Sequence, residues 1–130
     1  MIVTFDYIID SSAWIEYFGA TPKALKIKDI IENKKIATAI IAVSEIVNKF
    51  DKENKQTFQF IEFIKQHATI LSITIEIAIN AGILKNEYRK KHPKFSLVDG
   101  IHLATAQQEN SILLTMDTDF KDAKNAEVIF

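Results

Sequence analysis

Apolar positions recur along this chain in two rhythms, and each rhythm predicts a kind of element. Phe5, Tyr7, Ile8 and Ile9 make a short apolar run ending at Asp10, the pattern of a strand from Thr4 to Ile9. Ser12 to Phe18 reads as a short helix stopped near Gly19. Thr21-Pro22 is a helix opening, a capping hydroxyl followed by proline in the first turn, and Leu25, Ile27, Ile30 and Ile31 follow it. Ile36-Ala37-Thr38-Ala39 predicts a second buried strand, with a helix through Val43, Ile46, Val47 and Phe50 behind it. A helix over 53–66 carries Phe58, Phe60, Ile61, Phe63 and Ile64, and a strand from Thr69 to Ile73 follows. From Ile73 to Ile79 the isoleucines alternate as in a strand, yet Ile75, Ala78, Ile79, Gly82 and Ile83 also fit one helix face. No turn signal interrupts the chain before His92-Pro93, so this segment predicts a long helix capped by Thr74 and running to about Lys91. Ser96 opens another helix through Ile101, Leu103, Ala104 and Ala106. Ile112 to Thr115 is a strand, Asp117 to Asp122 a short turn or helix, and Val128 to Phe130 a closing strand.

Strands that alternate with helices predict a three-layer α/β/α fold around a mostly parallel sheet of about five strands. The length of 130 residues and the lack of any Gly/Ser/Pro-rich linker predict one domain over residues 1–130. Composition removes several functions. The absence of cysteine excludes disulfide frameworks, thiolate zinc sites and cysteine nucleophiles. Sixteen basic against seventeen acidic residues leave a net charge of −1, which excludes a general polycation but not a local basic face. No apolar run approaches the ~20 residues of a membrane span and no charged-then-apolar leader opens the chain, so a cytoplasmic protein without membrane contact is expected.

In parallel sheets of this kind, ligands bind outside the carboxyl ends of the strands. The side chains expected there are acidic. Asp10 directly follows the first strand, and Asp117 and Asp119 follow the strand ending at Thr115. Glu45 lies one to two turns into the helix after the second strand, and Asp99 lies in the first turn of the helix opened by Ser96. Helix N-termini gather at the same sheet edge, so these five carboxylates are expected to converge. Such a cluster partly neutralises itself unless a cation is present. A hard divalent ion, Mg²⁺ or Mn²⁺, suits an all-oxygen site, activates water near neutral pH and neutralises charge on a phosphoryl oxygen. The reaction class that follows is metal-assisted phosphodiester hydrolysis. Each acid also has a plainer reading. Asp10 and Asp117 or Asp119 can cap the elements after them, Ser96 and Asp99 match a capping box, and Glu45 can be a solvated helix position.

Four segments then resemble the motifs of PIN domains. Ile8-Ile9-Asp10-Ser11-Ser12-Ala13-Trp14 resembles the first, Ser44-Glu45-Ile46 the second, Leu97-Val98-Asp99-Gly100-Ile101-His102-Leu103-Ala104-Thr105-Ala106 the third, and Leu113-Leu114-Thr115-Met116-Asp117-Thr118-Asp119-Phe120 the fourth. They occur in order from Ile8 to Phe120 and most resemble the single-domain VapC-type toxins of toxin–antitoxin pairs. The resemblance implies a ribonuclease dependent on Mg²⁺ or Mn²⁺, commonly dimeric and inhibited by a small antitoxin protein. It implies catalytic roles for Asp10, Glu45, Asp99 and Asp117 and metal contacts for Asp10, Asp99, Asp117 and Asp119. Asp10 and Asp99 are the expected direct ligands, and Asp117 is favoured over Asp119 as the fourth acid because it is nearer the strand end. Thr115 and Ser11 are expected in support.

Lys85, Arg89, Lys90, Lys91 and Lys94 form the one basic cluster, suited to RNA phosphates but also to a solvated helix C-terminus. Trp14, Tyr17 and Phe18 have a base-stacking reading and a core or dimer reading, of which packing is the simpler. His67, His92 and His102 show no ligand spacing; His102 stands one turn beyond Asp99, within reach of a hydrogen bond. Helices 53–66 and 74–91 carry apolar residues on more than one face, as a thick core or a partner surface requires. Two rival functions remain at this stage: a PIN-fold binding or RNA-processing module without a toxin role, and phosphotransfer through an aspartyl-phosphate at Asp10. The second needs another Asp two positions on, where this chain has Ser12.

Overall fold

The computed structural model describes residues 4–130. Its elements are β1 (Tyr7–Ile9), α1 (Ser11–Gly19), α2 (Ala24–Asn33), β2 (Ile36–Ala39), α3 (Ile40–Lys52), α4 (Phe58–His67), β3 (Thr69–Leu71), α5 (Ile75–Tyr88), α6 (Leu97–Gln108), β4 (Ile112–Thr115), a 3-10 turn (Thr118–Phe120) and β5 (Ala126–Val128). All strand pairs are parallel, in the order β3-β2-β1-β4-β5, so β1 lies at the centre.

The strand period of two creates the layers. Ile8 and Leu113 face one cluster with Ile77, Ala81, Phe95, Leu103 and Phe120, while Ile9 and Leu114 face the other with Trp14, Ile27, Ile46, Phe50 and Ile64. Helices α5 and α6 therefore cover one face and α1 to α4 the other. The ambiguous isoleucine run is helical. Thr74 caps α5 by accepting the Ile77 N–H at 3.2 Å, and Ile77, Ala81 and Leu84 form its buried stripe.

Helix α6 approaches α5 unusually closely at Gly100. A Cβ there would collide with the Ala81 carbonyl oxygen and lie 3.1 Å from its carbon. Glycine is thus required by the helix contact rather than by a turn.

Several boundaries differ from the sequence expectation, among them β3, which stops at Leu71 rather than Ile73, α5, which stops at Tyr88 rather than about Lys91, and β5, which stops at Val128 rather than Phe130. β1 begins at Tyr7, because Asp6 is bent to place its carboxylate on the Lys35 N–H at 2.9 Å. α2 begins at Ala24 rather than at Thr21-Pro22, since the Thr21 hydroxyl is donated to Glu16 instead of capping. α4 begins at Phe58, after Asn54 has taken a left-handed conformation with φ of 57°. β5 starts two residues early, at Ala126, though Ile129 still donates its N–H to Thr115 at 2.9 Å.

Candidate active site

The carboxyl ends of β1 and β4 are joined by side-chain hydrogen bonds. Asp10 caps α1, accepting the Ala13 N–H at 2.9 Å and the Ser12 hydroxyl at 2.7 Å on the same oxygen, Oδ1. Ser12 Oγ also accepts the Met116 N–H at 2.9 Å and stands 3.3 Å from Thr115 Oγ1. Thr115 Oγ1 in turn accepts the Asp117 N–H at 3.0 Å, and Asp117 Oδ1 caps the 3-10 turn through the Asp119 N–H at 2.8 Å. One continuous chain of bonds therefore runs from Asp10 to Asp117 across 107 positions of sequence. Ser12 makes the cross-link. No side-chain hydrogen bond of Ser11 occurs among the described residues.

Below this strap the sheet edge is locked by Thr38, fully buried in β2. Its hydroxyl donates to the Ile9 carbonyl at 2.5 Å and accepts from Trp14 Nε1 at 3.2 Å. Trp14 is entirely buried and Phe18 stacks on it at 5.7 Å within the core that Ile9 and Leu114 face.

Asp99 arrives from α6. Ser96 and Asp99 form a reciprocal capping box, with Asp99 Oδ2 accepting the Ser96 N–H at 2.8 Å. Glu45 arrives from α3 and accepts from His102 Nε2 at 2.7 Å on Oε1. The bonds that place Asp10, Glu45, Asp99 and Asp117 each fall on a single oxygen of the carboxylate.

Electrostatics link these groups. Burial pushes the Asp10 carboxyl above its ordinary pKa, although His102, Thr115, Ser12 and the Ala13 N–H all favour its charged form. Burial raises Asp99 as well; the Ser96 bonds and His102 oppose this, while the Asp117 charge adds to it. Burial alone would lower the His102 pKa, but the Glu45 hydrogen bond and the charges of Asp10, Glu45 and Asp99 reverse the direction and raise it. Carboxylates held in this way are stabilised by a cation, and an all-oxygen donor set fits a hard one. Among the described residues no three acid or imidazole side chains are close enough to enclose an ion by themselves. Mg²⁺ typically takes one or two carboxylates and fills the rest of its octahedron with water.

The fifth acid, Asp119, approaches a histidine. Asp119 Oδ1 is 3.7 Å from His92 Nδ1, and His92 Nε2 is 2.7 Å from Asp122. His92 thus fastens the α5–α6 loop to the segment after β4 and draws Asp119 toward it. The basic cluster borders this loop. Arg89 is committed to the Phe95 carbonyl at 2.6 Å, whereas Lys90 and Lys91 line a hollow of about 280 Å³ with Glu87, Tyr88, His92 and Asp122.

Sequence reasoning left two contributors unassigned, Ser12 and His102. The signal for His102 was its position one turn beyond Asp99 in a helix of small residues.

Solved structures share this fold. A toxin–antitoxin complex from Klebsiella pneumoniae is 24% identical, with 95% of this chain and 98% of that chain covered and a TM-score of 0.77. VapBC2 from Rickettsia felis, bound to a promoter DNA fragment, is 20% identical with 94% and 97% covered and a TM-score of 0.74. VapC20 from Mycobacterium tuberculosis, a toxin that cleaves the sarcin–ricin loop, is 15% identical with 95% and 99% covered and a TM-score of 0.72. No curated protein sequence matches significantly. The family model that does match is the PIN domain, over residues 7–126. With all four motif segments inside that span, the chain belongs to the PIN domain family.

Proposed function

We propose that this protein is a ribonuclease dependent on Mg²⁺ or Mn²⁺, and that it is the toxin of a toxin–antitoxin pair. The observation that supports the reading is the hydrogen-bonded strap from Asp10 to Asp117 across the carboxyl ends of β1 and β4, beside His102, which is bonded to Glu45 and feels the charges of Asp10 and Asp99. Asp10 and Asp99 would hold the ion, with Asp117 beside Asp99; Asp119, turned toward His92, is the weaker candidate. A bound divalent ion would supply charge neutralisation at the phosphoryl oxygen and a more acidic water. Ser12 and Thr115 fix Asp10 and Asp117 in register, and Glu45, held by His102, would accept the proton of the attacking water. Hydrolysis consumes one water, breaks one phosphodiester P–O bond and returns a proton to the departing oxygen from solvent.

Lys85, Lys90, Lys91 and Lys94 would meet RNA phosphates beside the site, giving affinity rather than sequence choice. Ile75, Ile79 and Ile83 stand exposed one turn apart on α5, at 76%, 57% and 59%, and this stripe fits a second copy of the chain. An antitoxin segment would fit the groove of about 610 Å³ whose floor is Phe18, Phe50 and Phe60 and whose rim is Glu16, Lys49, Glu53 and Lys55.

The test is cleavage of structured RNA by purified protein with Mg²⁺ or Mn²⁺, with EDTA, and with the Asp10→Asn variant. Cleavage only in the first condition is expected; equal cleavage in all three would overturn the metal mechanism.

A further inference from the structure

We infer that His102 is a positioning residue of this site, whose Nε2–H holds Glu45 Oε1 at the sheet edge so that the two side chains work as one unit. The role in catalysis rests on the ribonuclease reading above; the link itself does not.

The two residues come from different elements 57 positions apart, and their contact is short, 2.7 Å. Bonds of that length between nitrogen and a carboxylate are the charge-assisted kind. The partners differ in freedom. The Glu45 side chain is about one-third exposed, 35%, on a stem with several rotatable bonds, and left alone it would sample solvent. The His102 side chain is 2% exposed, in a stretch of α6 where Leu103, Ala104 and Thr105 are buried as well, so it cannot follow Glu45 outward. A rigid donor therefore fixes a mobile acceptor.

The other ring nitrogen supports this assignment. Nδ1 is buried with no hydrogen-bond partner among the described residues. An imidazole kept only to fill space leaves a polar atom unpaired where leucine would leave none, a destabilising choice. What the ring supplies and leucine does not is the donor aimed at Glu45, in a position where Asp10 and Asp99 also feel its charge.

Three substitutions separate positioning from packing. His102→Gln carries an amide N–H at the distance of Nε2, His102→Asn carries one at the distance of Nδ1, and His102→Leu carries none. With RNA and Mg²⁺, and after thermal unfolding has shown each variant folded, the Asn and Leu variants are expected to lose about 10–100-fold in kcat, the usual effect of removing an outer hydrogen-bonding partner. KM should stay within about threefold, and Gln should recover most of the loss. Equal kcat for the Gln and Asn variants would overturn the proposal. A second readout is independent of RNA. In long-range ¹H–¹⁵N spectra of metal-free protein, His102 should appear protonated at Nε2, and Glu45→Ala should shift that resonance. An unmoved resonance would also overturn it. Wild-type protein that cleaves no RNA would refute the ribonuclease reading and leave the spectra to decide the His102–Glu45 link.

Discussion

Gly82 and Gly100 provide a matched pair, because one substitution has opposite expected effects at the two positions. Both glycines sit inside helices, and neither has a positive φ. Alanine at an interior helix position is favoured over glycine by about 1 kcal/mol. At Gly82 a new Cβ meets nothing within 4 Å, so that gain is unopposed. At Gly100 the Cβ runs into the Ala81 carbonyl, with the carbonyl carbon at 3.1 Å and Cα at 3.2 Å. These are backbone atoms; no rotamer change relieves them, and α5 and α6 must part. Overpacking of this kind costs about 1–3 kcal/mol, and a backbone collision belongs near the upper end. Subtracting the propensity gain leaves Gly100→Ala destabilised by about 2 kcal/mol and Gly82→Ala stabilised by about 1 kcal/mol. For a domain of this size, roughly 3–5 °C accompanies each kcal/mol. Differential scanning calorimetry of metal-free protein should therefore show Gly100→Ala melting roughly 6–10 °C below wild type and Gly82→Ala a few degrees above. Gly100 also follows Asp99 directly, so cleavage should fall with the first variant only. A Gly100→Ala protein as stable as wild type would refute the close-approach argument.

Asp10→Asn removes a carboxyl whose charged form burial disfavours, so metal-free protein should lose less stability than wild type as pH rises while the rise in Tm on adding Mn²⁺ disappears; thermal-shift assays across pH, with and without the ion, measure both. The pH dependence has a definite sign. His102 has a folded pKa above its ordinary 6.5, through the Glu45 bond and the charges of Asp10, Glu45 and Asp99, so its contribution is complete below pH 6.5 and is lost as pH rises through the folded value. Asp10 and Asp99, raised above 3.8 mainly by burial, give the same downward slope from pH 3.8 up through their own folded values. Urea midpoints of metal-free protein should accordingly decline from pH 6.5 to pH 9, and His102→Gln should flatten that decline. Ile79→Glu, at the middle of the exposed α5 stripe, should convert a dimer to a monomer in sedimentation velocity without lowering Tm, since Ile79 is 57% exposed in the single chain.

Most of the fold was legible because the strands are short apolar runs whose neighbours alternate between two cores, as Ile8/Ile9 and Leu113/Leu114 do. The helix at Ile75 was legible through its cap, Thr74, and through the lack of any turn signal. What stayed hidden depended on choices between nearby partners. Thr21 carries a capping hydroxyl, but Glu16, one turn away across the α1 terminus, takes it first. Ser11 and Ser12 are chemically equal; the first turn of α1 rotates only Ser12 toward Thr115 and Met116. Asp117 and Asp119 are two residues apart, and their separation into strand-end cap and His92 partner follows from a loop anchored 25 residues earlier. The tie between His102 and Glu45 joins α6 to α3, and no local pattern encodes it.

The order of strands has a consequence for how the molecule is made. β1, at the centre of the sheet, pairs with β4, which follows it in the chain only after two other strands and six helices. A nascent chain carries Asp10, Glu45 and Asp99 long before it can join them to Asp117. Pairing of β1 with β4, and with it the chain of bonds from Asp10 to Asp117, therefore forms only after the helices between them have been synthesised.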